Sequence, residues 1–148
     1  MTDTSTISLP TPPPPGANYV PARRHGDLLF IAGQLPVVDG RLPRTGKVGD
    51  TVDVPAAAEL ARLAALNGLA VADAHLGSLA GVSVVQVTVF VASTPDFTEQ
   101  HLVANGASDL LIEALGERGR HARTAVAAPV LPLDTPVEVQ LVLGVEAP

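Results

Sequence analysis

The sequence predicts an α+β domain in which one mixed sheet carries two helices on a single face. Five short stretches rich in Val, Ile, Leu and Thr have the length and composition of strands. Two longer stretches repeat apolar residues at spacings of three and four, as helices do. These elements follow one another in the order β-β-α-β-α-β-β, and right-handed crossovers between the strands place both helices on the same side. A chain of 148 residues fits one such domain.

The N-terminal part is polar and rich in proline. The run Pro12 to Pro15 favours an extended polyproline conformation, so residues 1–15 are predicted to form an arm. A single domain would then occupy residues 16–148. Residues 18–24 are predicted as a first short strand, and residues 28–36 as a second strand that Pro36 ends.

The next segment contains a turn, a loop and the first predicted helix. Asp39-Gly40 is typical of a hairpin turn, and the glycines that follow it indicate a loop up to residue 53. Pro55 favours the first turn of a helix, with Asp53 or Val54 near its cap. Apolar and small residues repeat until Gly77, where glycine indicates the end of the helix.

Residues 82–91 form the clearest strand, and both of its predicted faces are at least partly apolar. Val85, Val87, Val89 and Val91 are expected on one face, and Val84, Gln86, Thr88 and Phe90 on the other. Two helices can cover only one face of the sheet. The semi-apolar open face therefore predicts a homo-oligomer.

The remaining elements complete the predicted order. A second helix is expected to start at Pro95-Asp96-Phe97 and to run to about Leu115. Residues 124–130 and 137–145 are predicted as the last two strands, separated by a turn that Pro132 and Pro136 bound.

Composition excludes several classes of function. The chain has no Cys, which excludes disulfides and thiol catalysis. Its formal net charge of −6 disfavours a broad nucleic-acid surface. No apolar run is expected to span a bilayer, and the first residues do not resemble a secretion signal. These observations predict a cytoplasmic protein that binds neither membrane nor nucleic acid.

Motifs for metal or nucleotide chemistry are missing from the sequence. None of the four His has metal-ligand spacing to another, and no phosphate-binding glycine loop or serine elbow occurs. No metal site is therefore expected, and nucleotide hydrolysis and acyl transfer by a serine have no supporting motif. Five polar residues remain as candidates, and each also has an ordinary structural interpretation in a core, cap or sheet edge: Tyr19, Gln34, Asn105, Arg123 and Glu138.

Taken together, three motifs resemble the RidA/YjgF family, also called the L-PSP endoribonuclease family. The resemblance covers residues 16–145. The first motif is Ile31-Ala32-Gly33-Gln34-Leu35-Pro36, and the second is the segment 85–95 followed by Asp96-Phe97. The third is Ala122-Arg123-Thr124-Ala125-Val126, followed by Leu131-Pro132 and Val137-Glu138-Val139. The third motif is fairly specific at this spacing, and the order of all three adds to it.

The resemblance implies a chorismate-mutase-like fold, a homotrimer and ligand clefts between subunits. It also implies hydrolysis of reactive 2-imino or enamine acids to 2-oxo acids and ammonia, with a small carboxylated metabolite as ligand and without a metal or organic cofactor. Arg123 would hold the carboxylate in a two-pronged pair, and Glu138 would orient or activate water. The remaining positions that align with the family's cleft are Tyr19, Asn105, Gly33, Gln34 and Ala125.

Several departures from the family pattern leave alternatives open. Many deaminating members carry Ser where this chain has Ala32, and Cys or Thr where it has Ala125. Residues 100–109 look longer than in short members, and the Pro-rich arm is extra. The alternatives are a ligand-binding trimer without turnover and, third, an endoribonuclease. The shortage of aromatic residues and the negative charge count against the third.

Overall fold

The structure, a computed structural model, describes residues 7–146 and confirms the predicted α+β class and element order. One mixed sheet has the strand order β1-β2-β5-β3-β4, in which only β3 and β4 pair in parallel. Short 3₁₀ helices follow α2 and β4. The elements are β1 Ala22–His25, β2 Leu28–Gln34, α1 Val54–Leu76, β3 Val82–Ala92, α2 Gln100–Leu115, β4 Ala122–Ala128 and β5 Val137–Val145.

Helix α1 begins and ends where its capping residues indicate. The Asp53 carboxylate accepts a hydrogen bond from the Ala56 N–H at 3.0 Å, and Pro55 lies in the first turn. Gly77 closes the helix at φ 84° and donates to the Asp73 carbonyl at 2.8 Å. Both caps were predicted from local sequence.

The apolar character of α1 needs an explanation, because no apolar run was expected to span a bilayer. The helix has 23 residues and is apolar enough to cross a membrane by length and composition. Its apolar side chains instead pack against α2, β2 and β5, and its most buried residues belong to the main hydrophobic core. The structure therefore shows α1 as a core helix, and its apolar character is explained by burial within the domain.

Helix α2 begins at Gln100, five residues later than the sequence predicted. Pro95 and Asp96 form the centre of a β-turn, in which the Phe97 N–H donates to the Thr94 carbonyl at 3.1 Å. The Gln100 side chain then donates to the Phe97 carbonyl at 2.8 Å. Proline suits the second position of a β-turn as well as the first turn of a helix, and here the turn prevails.

The central strand departs from simple alternation at Val85. A register shift between Val84 and Gln86 breaks the pairing of β3 with β5, so Val84 is buried and Val85 is 45 % exposed. Val87, Val89 and Val91 still face the core, as predicted. A bulge adds one unpaired residue and shifts all preceding side chains to the other face, which sequence alternation cannot reveal.

The first strand is also shorter than predicted, since β1 begins at Ala22. The preceding residues form a bend in which the Tyr19 N–H donates to the Ala17 carbonyl at 3.0 Å. Before this bend, the arm packs against the domain through Ile7 and Leu9. The described part of the arm thus lies on the protein surface.

One face of the sheet is buried beneath the helices, and the other is open. On the covered face, Ile31, Val89 and Leu141 have at most 1 % of their surface exposed. The open face carries Phe30 and Val126, which are 43 % and 39 % exposed. The single chain therefore has one sheet face covered by the helices and one left open, as predicted.

Candidate functional site

The Arg123 side chain is held by helix α2. Arg123 lies near the start of the edge strand β4, opposite the buried Val87 of β3, and so points to the face on which the helices pack. Its Nη1 donates to Asn105 Oδ1 at 2.9 Å and to Ser108 Oγ at 3.1 Å. Its Nη2 donates to the His101 carbonyl at 3.1 Å. Three contacts from one helix fix the guanidinium plane.

These three bonds use three of the five N–H donors of the guanidinium. No other residue in the range 7–146 accepts a hydrogen bond from it. The two remaining donors can bind an added acceptor, and a carboxylate suits them in charge and geometry.

A second layer of hydrogen bonds supports Arg123. His121 Nδ1 lies 2.6 Å from the Gly119 carbonyl, and His121 Nε2 lies 2.8 Å from Ser108 Oγ. A carbonyl can only accept, so Nδ1 carries a proton. In the neutral ring, Nε2 then accepts the Ser108 proton, which leaves the Oγ lone pairs available to Arg123.

Ser108 was not among the residues singled out from the sequence. Its signal was spacing, because His101, Asn105 and Ser108 recur at intervals of four and three along α2 and so share one helix face. Asn105, a candidate from the family resemblance, lies beside Arg123 and accepts one of its hydrogen bonds.

Four of the other candidate residues line a separate cleft of about 590 Å³. Tyr19, Gly33, Gln34 and Glu138 all contribute to its wall. The Gln34 amide donates to the Ala32 carbonyl at 3.1 Å, and the Tyr19 hydroxyl accepts from the Gly16 N–H at 3.3 Å. The volume lies within the range of small-molecule sites.

Glu138 is the chemically distinctive group of this cleft. Its carboxyl group lies directly over Gly33, where an added Cβ would come within 3.0 Å of Glu138 Cδ. The absence of a side chain at position 33 thus gives the carboxyl group room in this orientation, and a Cβ there would displace it. Burial raises the pKa of Glu138 above its ordinary value. Among residues 7–146 no group donates a hydrogen bond to it, so it can serve a ligand or a water molecule.

Within one chain, the two groups of candidates do not meet. Glu138 pairs with Phe90 on the open face, whereas Arg123 pairs with Val87 on the covered face. Two strand spacings and three residues of register separate their backbones by roughly 14 Å. Ala125 shares the face of Arg123 and packs against the core. The structure thus joins Arg123 with Asn105, and Tyr19 with Gly33, Gln34 and Glu138.

Comparison with known proteins decides the family. The family described as endoribonuclease L-PSP matches residues 10–144, nearly the whole chain. The chain belongs to the RidA/YjgF/L-PSP family. Protein TCP17 of Trypanosoma cruzi is 44 % identical over 135 residues, which cover 90 % of this chain and 84 % of that protein.

Two solved structures of this family's fold support the assignment. Atu1372 of Agrobacterium tumefaciens, a protein of unknown function, is 45 % identical with a TM-score of 0.89, covering 95 % of this chain and 87 % of that one. A candidate endoribonuclease of Shewanella oneidensis is 30 % identical with a TM-score of 0.91, covering 95 % and 94 %. The RidA/YjgF fold predicted from the motifs is therefore confirmed.

Proposed function

We propose that this RidA-family protein hydrolyses small 2-imino or enamine acids to 2-oxo acids and ammonia. The observation that carries the proposal is the Glu138 carboxyl group, which has no donor among residues 7–146, lies over Gly33 in the cleft and has a raised pKa. A carboxyl group can accept a proton when it is ionised and donate one when it is protonated. Imine hydrolysis needs both steps, because a proton must leave the attacking water and a proton must reach the nitrogen.

The reaction is R–C(=NH)–COO⁻ + H₂O → R–C(=O)–COO⁻ + NH₃. Glu138 accepts a proton from the water that attacks the imine carbon and passes it to the nitrogen, which gives a carbinolamine. It then accepts the proton of the carbinolamine hydroxyl and passes it to the amino group, so that the C–N bond breaks as the C=O bond forms. The electron pair of that bond leaves with ammonia. No electron acceptor enters this balance, so the proposal includes neither a metal nor an organic cofactor.

The substrate carboxylate would be held by Arg123. Asn105, Ser108 and the His101 carbonyl keep the guanidinium in one orientation, which leaves two N–H donors for the ligand. Such preorganisation lowers the entropy lost when the carboxylate binds. Gln34 and Tyr19 would shape the cleft around the imine end.

Arg123 and Glu138 can act on one small molecule only if two copies of the chain contribute. We therefore include a homotrimer in the proposal, with Arg123 of one copy facing the cleft of the next. The exposed apolar residues of the open sheet face, such as Phe30 and Val126, support self-association. A cytoplasmic location, where amino-acid metabolism generates imino acids, belongs to the same proposal.

The test is a coupled assay in which an amino-acid oxidase generates the imino acid from leucine in the presence of semicarbazide. The protein should lower the yield of semicarbazone and speed the release of oxo acid. Arg123→Ala should reduce this effect ten- to a hundredfold, because one charge-assisted pair contributes roughly 1.5–3 kcal/mol. Glu138→Gln should abolish it.

Arg120→Ala is the matched control for the loss of a positive charge. Arg120 is exposed and pairs with Glu117 at 3.0 Å, so its removal should leave the rate unchanged. Arg118 is not a suitable control, because its Nη2 is buried. Binding of 2-oxo acids without acceleration would favour the ligand-binding alternative, and cleavage of single-stranded RNA would favour the endoribonuclease alternative.

A further inference from the structure

The Pro-rich arm contributes directly to the cleft that contains Glu138. Pro13, Pro14 and Pro15 line it, together with Gly16 and Ala17. The arm is therefore part of the wall, at a position where it can contact whatever the cleft binds. This feature was not predicted, because residues 1–15 were interpreted only as an arm before the domain.

The arm is held in place at both ends of its described part. Ile7 and Leu9 pack against the hydrophobic core, and the Gly16 N–H donates to the Tyr19 hydroxyl at 3.3 Å. Between these points the prolines have a fixed φ and no N–H. A run of proline thus presents a stiff, apolar surface whose ordering costs little entropy.

The cleft is chemically divided. Gln34 and Glu138 supply its polar side chains, and the Tyr19 hydroxyl is engaged by the arm. The remaining wall is mostly apolar and includes Leu133, which is 76 % exposed and has a φ of 57°. A non-glycine residue in this conformation is strained, and such residues persist where the surrounding structure holds them at a functional site.

We propose that the arm determines substrate specificity, with Pro13 to Pro15 packing against the apolar side chain of the bound acid. The ligand class, a 2-imino or 2-oxo acid, rests on the proposed function. The polar groups then hold the reacting end, while the prolines favour branched aliphatic side chains over a methyl group. Apolar surface buried against the arm supplies the discrimination.

Two prolines allow a matched test in the full-length chain. Pro15 lines this cleft only, whereas Pro12 lines a separate groove of about 480 Å³ beside Leu63 and Leu66. Pro15→Asn and Pro12→Asn introduce the same neutral amide three residues apart. Calorimetry would measure the binding of pyruvate and 4-methyl-2-oxopentanoate to the unaltered protein and to each variant, after thermal unfolding has shown that both variants fold.

The unaltered protein should bind 4-methyl-2-oxopentanoate at least roughly tenfold more tightly than pyruvate. Pro15→Asn should weaken binding of 4-methyl-2-oxopentanoate at least roughly fivefold and binding of pyruvate less than about twofold. The reason is that the introduced amide loses water when the apolar group of the branched acid covers it. Pro12→Asn should leave the ratio unchanged. An unchanged ratio in Pro15→Asn, an equal change in Pro12→Asn, or no binding of the branched acid would overturn the inference.

The imine assay separates this inference from the proposed function. Selective binding that depends on Pro15, without imine hydrolysis, would support the role of the arm and reject the deaminase activity. Imine hydrolysis by a protein whose selectivity does not change in Pro15→Asn would support the deaminase activity and reject the role of the arm.

Discussion

The orientation of Arg123 depends on two layers of hydrogen bonds. Its guanidinium is oriented by Asn105 and Ser108, and Ser108 is in turn oriented by His121 and the Gly119 carbonyl. Ser108 and Asn105 belong to α2, whereas His121 and Arg123 lie at the start of β4. Docking of α2 against β4 therefore sets the direction of the proposed carboxylate anchor.

Ser108 should act as a positioning residue for Arg123. Ser108→Ala removes one of the three acceptors that hold the guanidinium, and should weaken 2-oxo acid binding roughly three- to tenfold, since a hydrogen bond to a charged group contributes roughly 1.5 kcal/mol or somewhat less in a network. Ser108→Thr keeps the hydroxyl and should restore binding. Calorimetry provides the measurement, with Ser78→Ala in an exposed turn as control. Failure of threonine to rescue a well-folded protein would reject the hydrogen-bond explanation.

Glu138 should make stability and activity respond to pH in opposite directions. Because burial raises its pKa in the folded state, the folded protein holds this proton more tightly than the unfolded chain does. Its contribution to stability is complete below the pKa of the unfolded chain and is lost as pH rises through the folded pKa. Activity should instead require the ionised form and rise over the same range.

Glu138→Gln should therefore remove the loss of stability that accompanies ionisation of Glu138 as the pH rises, while abolishing imine hydrolysis. Urea unfolding at several pH values measures the first effect, and the coupled assay the second. Glu146→Gln, near the end of the described chain, is the control for a lost carboxylate at an exposed position. The same pH dependence of stability in Glu138→Gln and the unaltered protein would contradict this prediction.

At the scale of elements, the contact between α1 and α2 depends on one glycine. A Cβ added at Gly106 would lie 2.6 Å from the Ala58 carbonyl carbon, so the two helices touch through their backbones there. The Asn105-Gly106 pair, unexpected inside a helix, combines a site residue with the residue that permits this approach. Close docking of α2 on α1 and the orientation of Arg123 are thus linked through neighbouring positions.

Gly106→Ala should destabilise the fold, because the neighbouring atoms are backbone and cannot rotate away. The cost should be about 3 kcal/mol, at the upper end for overpacked cores, despite the better helix propensity of alanine. Urea unfolding would measure it. Gly16→Ala should change the free energy of unfolding little, since nothing lies within 4 Å of its added Cβ. Equal stability of the two variants would show that α1 and α2 separate at low cost.

At the scale of the whole molecule, the open sheet face and the separation of Arg123 from Glu138 both support self-association. The open face exposes Phe30 and Val126, and the proposed catalytic pair lies on opposite faces of one chain. Self-association would cover the open face and would bring Arg123 of one copy close to Glu138 of another. The arm contributes part of the wall of the cleft that contains Glu138 of the same chain.

Sedimentation should show a trimer at micromolar concentration. Val126→Asp places a charge on the open face and should shift the protein to monomers, because a buried carboxylate without a partner is costly. Leu102→Asp is the matched control, since Leu102 is similarly exposed, at 37 %, but lies on α2. A stable monomer of the unaltered protein would reject the proposed shared site.

The sequence by itself determined the features that depend on neighbouring residues. The caps Asp53 and Gly77 bound α1 as predicted, and Asp39-Gly40 forms the expected turn with φ of 51° and 79°. Motif order was enough to identify the family and fold. Tyr19, Gly33, Gln34 and Glu138 were singled out from the sequence and share a cleft.

Tertiary structure decided whatever depends on partners distant in the chain. The start of α2 depends on a choice between turn and helix at Pro95, and the exposure of Val85 depends on its register with β5. Ser108 gained its role only when α2 docked on β4, and the arm became a cleft wall only by packing on the domain. Local sequence encodes conformational preference, but register and docking result from the burial of apolar surface across the whole chain.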